Sequence, residues 1–310
     1  MPASPPFYRF AHEAMGTTFE VLIADCEKDY AGQASQEIFH QVDHIEALFS
    51  RFNAASEVSQ INRLRPGRAL KIGIETYECL MVAQRIYAET GGALDINFRV
   101  RRHRPSSVKK SSEREKAEPP SADFEISRTA GGFEVRAGRE VIRDERPVLD
   151  LDLGGIGKGY ALDRAVELLS DWGLNSVLVH GGTSTAFAVG SAPGLGPGER
   201  GWPVGVGWVG IASGSAKRVF LQNRALSGSG TQVKGRHILD PGTGRPAGAH
   251  LAAWVSHPQA ASADALSTAF MVMTTPEVIS FCSHHPEVWA LLAEPEGSIV
   301  HCNRDILLST

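Results

Sequence analysis

Two oxygen-bearing side chains four residues apart, Asp264 and Thr268, stand in the stretch SADALSTAF from Ser262 to Phe270. That spacing puts both on one face of a helix. A carboxylate and a hydroxyl so placed can donate hard oxygen ligands to a cation such as Mg²⁺. The same residues also have ordinary uses near a helix start, the acid complementing the dipole and the threonine bonding back to a carbonyl. A second candidate is VLDLDLGGIGKGYALD, from Val148 to Asp163, where Gly154, Gly155, Gly157 and Gly159 surround Lys158. Between a strand and a helix, such glycines let backbone N–H groups approach a phosphate at the helix N-terminus. They equally suit a plain tight turn. His237, ahead of the Pro/Gly-rich turn that ends at Pro246, can serve as a general base or as a structural hydrogen-bonder.

The named nucleotide motifs do not fit the glycine stretch. A P-loop would need glycine where Asp152 stands and Ser or Thr where Gly159 stands. The spacing is GxGxG, not the GxGxxG of dinucleotide folds. Gly228-Ser229-Gly230 lacks the spacing of a nucleophile elbow. No HExxH, calcium loop or zinc spacing occurs, and the His284-His285 pair has no partner at helical spacing.

The elements that must position these residues follow from periodicity. Alternation over Val148 to Leu153 predicts a half-buried strand, and the helix after the glycines starts at Tyr160 and stops at Gly173. Met15 to Ala24 reads as a strand. From about Ala31 to Phe52 apolar residues recur at helical spacing, beginning with Ile38 and ending with Phe52 as the last of the stripe. A short helix follows Asn53, and another from Glu75 to Glu89 closes at Gly91-Gly92. Phe98 to Glu118 is charged, Ser-rich and poor in large apolar groups, so it reads as a mobile loop or linker. Hairpins are expected over Phe124 to Val148, a buried strand at Ser176 to His180, and strands at Trp202 to Ile211, Ala216 to Leu221, Arg224 to Ser227, Trp289 to Leu292 and Ile299 to Asn303. Ser262 to Met273 is an apolar helix with Ser262 as its N-cap. Helices interspersed with hairpin-like strands suggest an α+β domain.

At 310 residues the chain can bury a sizeable core, and 42% hydrophobic with 21% charged residues is the balance of a soluble globular protein. A net charge of −4 argues against nucleic acid as the main partner. The first residues show neither the basic nor the apolar region of a secretory signal, and no stretch has the apolar length of a membrane span. Cys26, Cys79, Cys282 and Cys302 form no CxxC pair and read as free thiols. As given, the chain is expected in the cytoplasm, or in the periplasm if a leader has been removed.

Taken in order, AMGTTFEVLI, LFSRFNAASEVSQIN, GGALDI, DLGGIGKGYALD, ALSGSG with HILDPGTGRP, and SADALSTAF resemble the ApbE family of FAD:protein FMN transferases. The resemblance implies one ApbE-like (T-fold-like) α+β domain over residues 1–310, with mainly antiparallel sheets, packed helices and an insertion at 98–122. It implies Mg²⁺-dependent cleavage of FAD, attachment of FMN to a Thr or Ser of an acceptor protein, and release of AMP. Carried over by motif, Met15, Phe52, Ala93, Leu94, Asp95, Asp152, Lys158 and Ile238 would line the FAD site. The metal would be held by Asp264, Thr268, a Ser267 group and the carbonyl of Gly155. His237 would help deprotonate the acceptor hydroxyl.

Three departures stand out. Phe52 replaces a more usual Tyr, Thr183 stands where many members have Asp, and Asn97 with the charged run from Phe98 replaces the usual TVGPL. Two alternatives stay open: an FAD pyrophosphatase on the same site, in which water replaces the protein hydroxyl, and an FAD-binding member without turnover, motivated by Thr183 and the altered Phe98 region.

Overall fold

The structure, a computed structural model, describes residues 7–101, 123–138, 149–207, 217–231, 235 and 238–304. It starts with a hairpin of β1 (Tyr8–Ala14) and β2 (Thr17–Ile23), joined by Met15 and Gly16 alone. Both joining residues have positive φ, 51° and 70°, the backbone that lets a two-residue turn follow strand twist. Glycine adopts it freely, whereas Met15 is held there against its preference. Phe19, Val21 and Ile23 alternate along β2 and are fully buried.

The chain continues through α1 (Lys28–Phe49), α2 (Glu57–Asn62), β3 (Ala69–Ile72), α3 (Ile74–Glu89) and the single turn α4 (Phe98–Arg101). After β4 (Phe124–Thr129) and β5 (Gly132–Ala137) come α5 (Gly157–Asp171), β6 (Val177–Gly181) and β7 (Thr185–Val189). Then follow β8 (Trp202–Val206), β9 (Lys217–Leu221), β10 (Arg224–Gly230) and β11 (Ala252–His257). The last elements are α6 (Ala260–Phe270), α7 (Thr275–His284), β12 (Trp289–Ala293) and β13 (Ile299–Cys302).

Eight strands form one open sheet in the order β1-β2-β6-β7-β10-β11-β12-β13, with every neighbouring pair antiparallel. On one face lie α1, α5 and α6, with α3 packed outside α6. The β8–β9 hairpin covers part of the other face over a smaller apolar cluster that includes Leu178, Trp202, Leu221 and Leu226. The α+β architecture with mainly antiparallel sheets is therefore as expected. The four cysteines are free. No helix among the described residues is long and apolar enough to cross a membrane.

Every residue of α6 except Thr268 is buried, and its alanines allow close approach from all sides. The tightest approach is to α5. A Cβ on Gly159 would stand 2.2 Å from the carbonyl oxygen of Ala260 and 2.6 Å from its carbon, so only glycine lets the two helix starts meet backbone to backbone.

Several expectations are corrected. Residues 149–153 keep the alternating burial but do not form a strand. Side-chain amides take the place of a partner strand: Asn62 Oδ1 accepts from Leu151 N at 2.7 Å and its Nδ2 donates to Leu151 O at 3.1 Å, while Asn97 Oδ1 accepts from Asp150 N at 2.8 Å. Helix α5 starts at Gly157 rather than Tyr160, because the glycines join the first turn; Gly173, at φ 66°, does follow its end. Helix α1 stops at Phe49, and Phe52 is not a core residue but 90% exposed.

Helix α6 starts at Ala260, so Ser262 lies inside it and is not its N-cap. Of the expected mobile stretch, Phe98–Arg101 is helical and residues 102–122 lie outside the described residues. Strands β1, β3, β7 and β11 and helix α7 were not anticipated. The signal for α7 was present in the Thr274–Glu277 capping box with Pro276 between them.

Replacing Gly159 with Ala should cost about 3 kcal/mol, the upper end for overpacking a site with no room to yield. Urea unfolding reads this directly, and an unchanged midpoint would refute the packing described.

Candidate active site

A cleft of about 570 Å³ opens at the end of the sheet where β7 reaches only to Thr185, opposite Ser227. Three elements converge on it. Helix α6 brings Asp264 and Thr268, the start of α5 brings Lys158 and the Gly159 N–H, and β10 brings a run of alternating serines and glycines. Along β10, Ser227 and Ser229 face α6, so Gly228 and Gly230 face the other way.

Asp264 is 3% exposed and both its oxygens are occupied. Oδ1 accepts from Ser227 Oγ at 3.1 Å and from Thr185 Oγ1 at 3.3 Å. Oδ2 accepts from Gly159 N at 3.1 Å and meets Lys158 Nζ at 3.4 Å. Such a carboxylate stays in place without relying on any one partner. Thr268 Oγ1 donates to Asp264 O at 3.3 Å, so the expected back-bond is present and the hydroxyl oxygen keeps capacity to accept. A Cβ on Gly155 would lie 3.2 Å from that oxygen; the loop backbone thus reaches Thr268 because no side chain intervenes.

Ser267 is fully buried, donates to Asp264 O at 2.9 Å and lies 2.9 Å from Ser229 Oγ. It braces the helix behind the site and does not line the cleft.

At the far end of the glycine loop, Asp152 Oδ1 accepts from Gly154 N at 2.9 Å. Its Oδ2 takes Arg51 Nη1 at 3.1 Å and Arg99 Nη2 at 3.2 Å. Met15, Ala93, Leu94, Asp95 and Ile238 all line the cleft. Phe52 does not; its ring carries the Arg51 guanidinium 5.5 Å from the centroid and otherwise faces outward. His237 lies outside the described residues.

Among the described residues no three His, Cys, Asp or Glu side chains cluster as metal ligands. Where Asp264, Thr268 and Gly155 meet, the donors are one carboxylate, one hydroxyl and backbone oxygen. That set is all hard oxygen and too few to enclose an ion, which fits Mg²⁺ shared with substrate phosphates and water.

A model of the ApbE family matches residues 15–292. The chain belongs to the ApbE family. The FAD:protein FMN transferase of Salmonella typhimurium is 25% identical over 297 residues, which are 88% of this chain and 80% of that protein. The FAD:protein FMN transferase of Chlamydia trachomatis is 25% identical over 260 residues, 78% of this chain and 77% of that one. The flavin transferase ApbE of Vibrio cholerae has a TM-score of 0.76 at 20% identity, over 98% of this chain and 100% of its own, which shows the shared fold.

Motif reading within the ApbE family missed several groups. Arg51 and Arg99 were hidden among surface charges, and Thr185, Ser227 and Ser229 are too common to signal a role. Asp163 closes the glycine motif, yet its partner is a helix start about a hundred residues away. Its Oδ1 accepts from Ala260 N at 2.6 Å and its Oδ2 from Ala261 N at 2.8 Å, doing the capping that Gln259, at the N-cap, does not.

Burial raises the pKa of Asp163 from 3.8 to about 6, against the opposing pull of those two N–H groups. A raised acid pKa means that the folded chain holds the proton more tightly than the unfolded chain between about 4 and about 6. Its contribution to stability is therefore lost as pH rises through that window. The stability of wild type minus that of Asp163→Asn, measured by denaturant titration, should fall from pH 4 to pH 6 and be level above. Asp163→Ala should cost about 2–4 kcal/mol by leaving two buried N–H groups unpaired.

Proposed function

We propose that this ApbE-family chain transfers FMN from FAD to a Thr or Ser hydroxyl of an acceptor protein, releasing AMP. Family membership and the activity named for its relatives support the reading. The observation that carries it is the meeting of Asp264, Thr268 and the Cβ-free Gly155 beside Lys158 in one cleft.

The FAD diphosphate lies along the glycine loop, where Lys158 sets a positive charge against it. Asp264, Thr268 and the carbonyl of Gly155 would hold Mg²⁺, which supplies Lewis-acid neutralisation of phosphate charge. Ser227, Thr185 and the Gly159 N–H fix the Asp264 carboxylate, so little reorganisation is needed during reaction. Asp152 shapes the loop and steadies Arg51 and Arg99 at its entrance. The acceptor oxygen forms a bond to the FMN phosphorus, the bond from that phosphorus to the bridging oxygen breaks, and AMP leaves with that oxygen. The hydroxyl proton goes to His237 by family resemblance; its chain neighbour Ile238 lines the cleft.

The deciding assay is AMP release from FAD with and without Mg²⁺, and with and without a Thr-bearing acceptor peptide. Release that needs Mg²⁺ and rises with acceptor, leaving a flavin-labelled peptide, is the expected result. Release indifferent to acceptor would make the chain an FAD pyrophosphatase, and FAD binding without release a member that has lost turnover. Asp264→Ala should lower the rate by about 10²-fold or more; full rate in this variant would remove the metal assignment. His237→Ala should slow transfer by about 10²–10⁴-fold with FAD affinity nearly unchanged, and equal loss of both would count against a base.

A further inference from the structure

The cleft does not stay on the α6 side of the sheet. The chain leading into β7 flanks β10 only as far as Ser184, whose carbonyl accepts from Gly228 N at 2.7 Å, and on the opposite face the cleft is lined by Gly228, Gly230, Ala252 and Trp254 together with Gly207. Register explains the grouping. Gly228 stands opposite Trp254 and Gly230 opposite Ala252 across the β10–β11 pair, all four pointing away from α6. A Cβ on Gly228 would lie 2.8 Å from Trp254 Cδ1 and 3.0 Å from its Nε1. The edge of the indole thus fills the space of the missing side chain, and the ring rests on the strand.

Trp254 is paired in register with Leu291 and packs on one flank against the smaller apolar cluster. Gly228 meets the indole directly, Gly230, Ala252 and Gly207 line the same part of the cleft, and Trp254 is only half-buried there. A tryptophan used only as filler would be surrounded by large side chains at interior density. Among the described residues, those that share its face in this part of the cleft are glycines and an alanine, and the partly exposed ring itself lines the cavity.

We propose that Trp254 is a stacking platform for one of the two planar heteroaromatic rings of FAD, the isoalloxazine or the adenine. This rests on the FAD reading above. A dinucleotide has its diphosphate in the middle and a ring at either end. With the diphosphate beside Lys158 and Asp264, Met15 and Ala93–Asp95 on one hand and Trp254 on the other line the same cleft. An indole face binds a heteroaromatic ring through dispersion and quadrupole attraction, and loss of such a platform weakens binding by about tenfold to hundredfold.

The test is equilibrium binding of FAD, FMN and AMP to wild type and to Trp254→Phe, Trp254→Leu and Gly228→Ala, with thermal unfolding of each. Trp254→Leu keeps apolar bulk but no ring. Expected is an FAD Kd raised about tenfold or more in the Leu variant and within about threefold of wild type in the Phe variant. Only one of FMN and AMP should lose affinity in the Leu variant, and which one names the ring. Gly228→Ala, which dislodges the indole, should weaken the same probe. Wild-type affinity for FAD in the Leu variant, a Phe variant as weak as Leu, or equal weakening of FMN and AMP would each overturn the platform. A wild-type chain that binds no FAD would overturn the underlying reading instead, and the platform with it.

Discussion

The contact between the first turns of α5 and α6 is the constraint on which the site depends. Gly159 lets the two backbones touch, and the same residue's N–H reaches Asp264. One turn further along α5, Asp163 holds the first N–H groups of α6. A single helix start thus sets both the height of α6 and the direction of its carboxylate. Any shift between the helices would move Asp264 and Thr268 together away from Gly155. The glycines of the motif are required less for flexibility than for this proximity.

Charge in the cleft is arranged in the same economical way. Each acidic group at its two ends is already met by donors. Asp264 has two hydroxyls, a backbone N–H and an ammonium, and Asp152 has two guanidiniums and a backbone N–H. Cationic partners held on carboxylates keep long side chains ordered in a region that must admit a polyanion, which lowers the entropy lost on binding.

The sequence was most legible where chemistry is local. Asp264 and Thr268 share a helical face, the glycine motif precedes a helix, and the alternation of β2 is plain; each is a matter of a few neighbouring residues. Boundaries failed where a distant group decided them. Ser262 has every property of an N-cap, but Asp163 supplies the cap from another helix and α6 starts two residues earlier. Phe52 continues an apolar stripe in the sequence, yet the helix has already ended and the ring is outside. The segment 149–153 carries the burial pattern of a strand while its bonding goes to Asn62 and Asn97, which periodicity cannot register. Ser267 is a ligand only by family resemblance; one step along the helix from Thr268 turns its side chain by about 100°, and it lies behind the cleft against Ser229.

The amide clasp on the loop has a consequence for how the two walls of the cleft respond to their surroundings. Asn62 and Asn97 hold the backbone leading to Asp152 through groups that carry no charge at any ordinary acidity. Those amide contacts are therefore insensitive to proton concentration and hardly touched by ionic strength. The opposite wall is seated on Asp163, whose carboxyl pKa is pushed by burial up to about 6. The backbone under the loop behaves as a fixed reference, while protonation of Asp163 bears on the start of the helix that faces it.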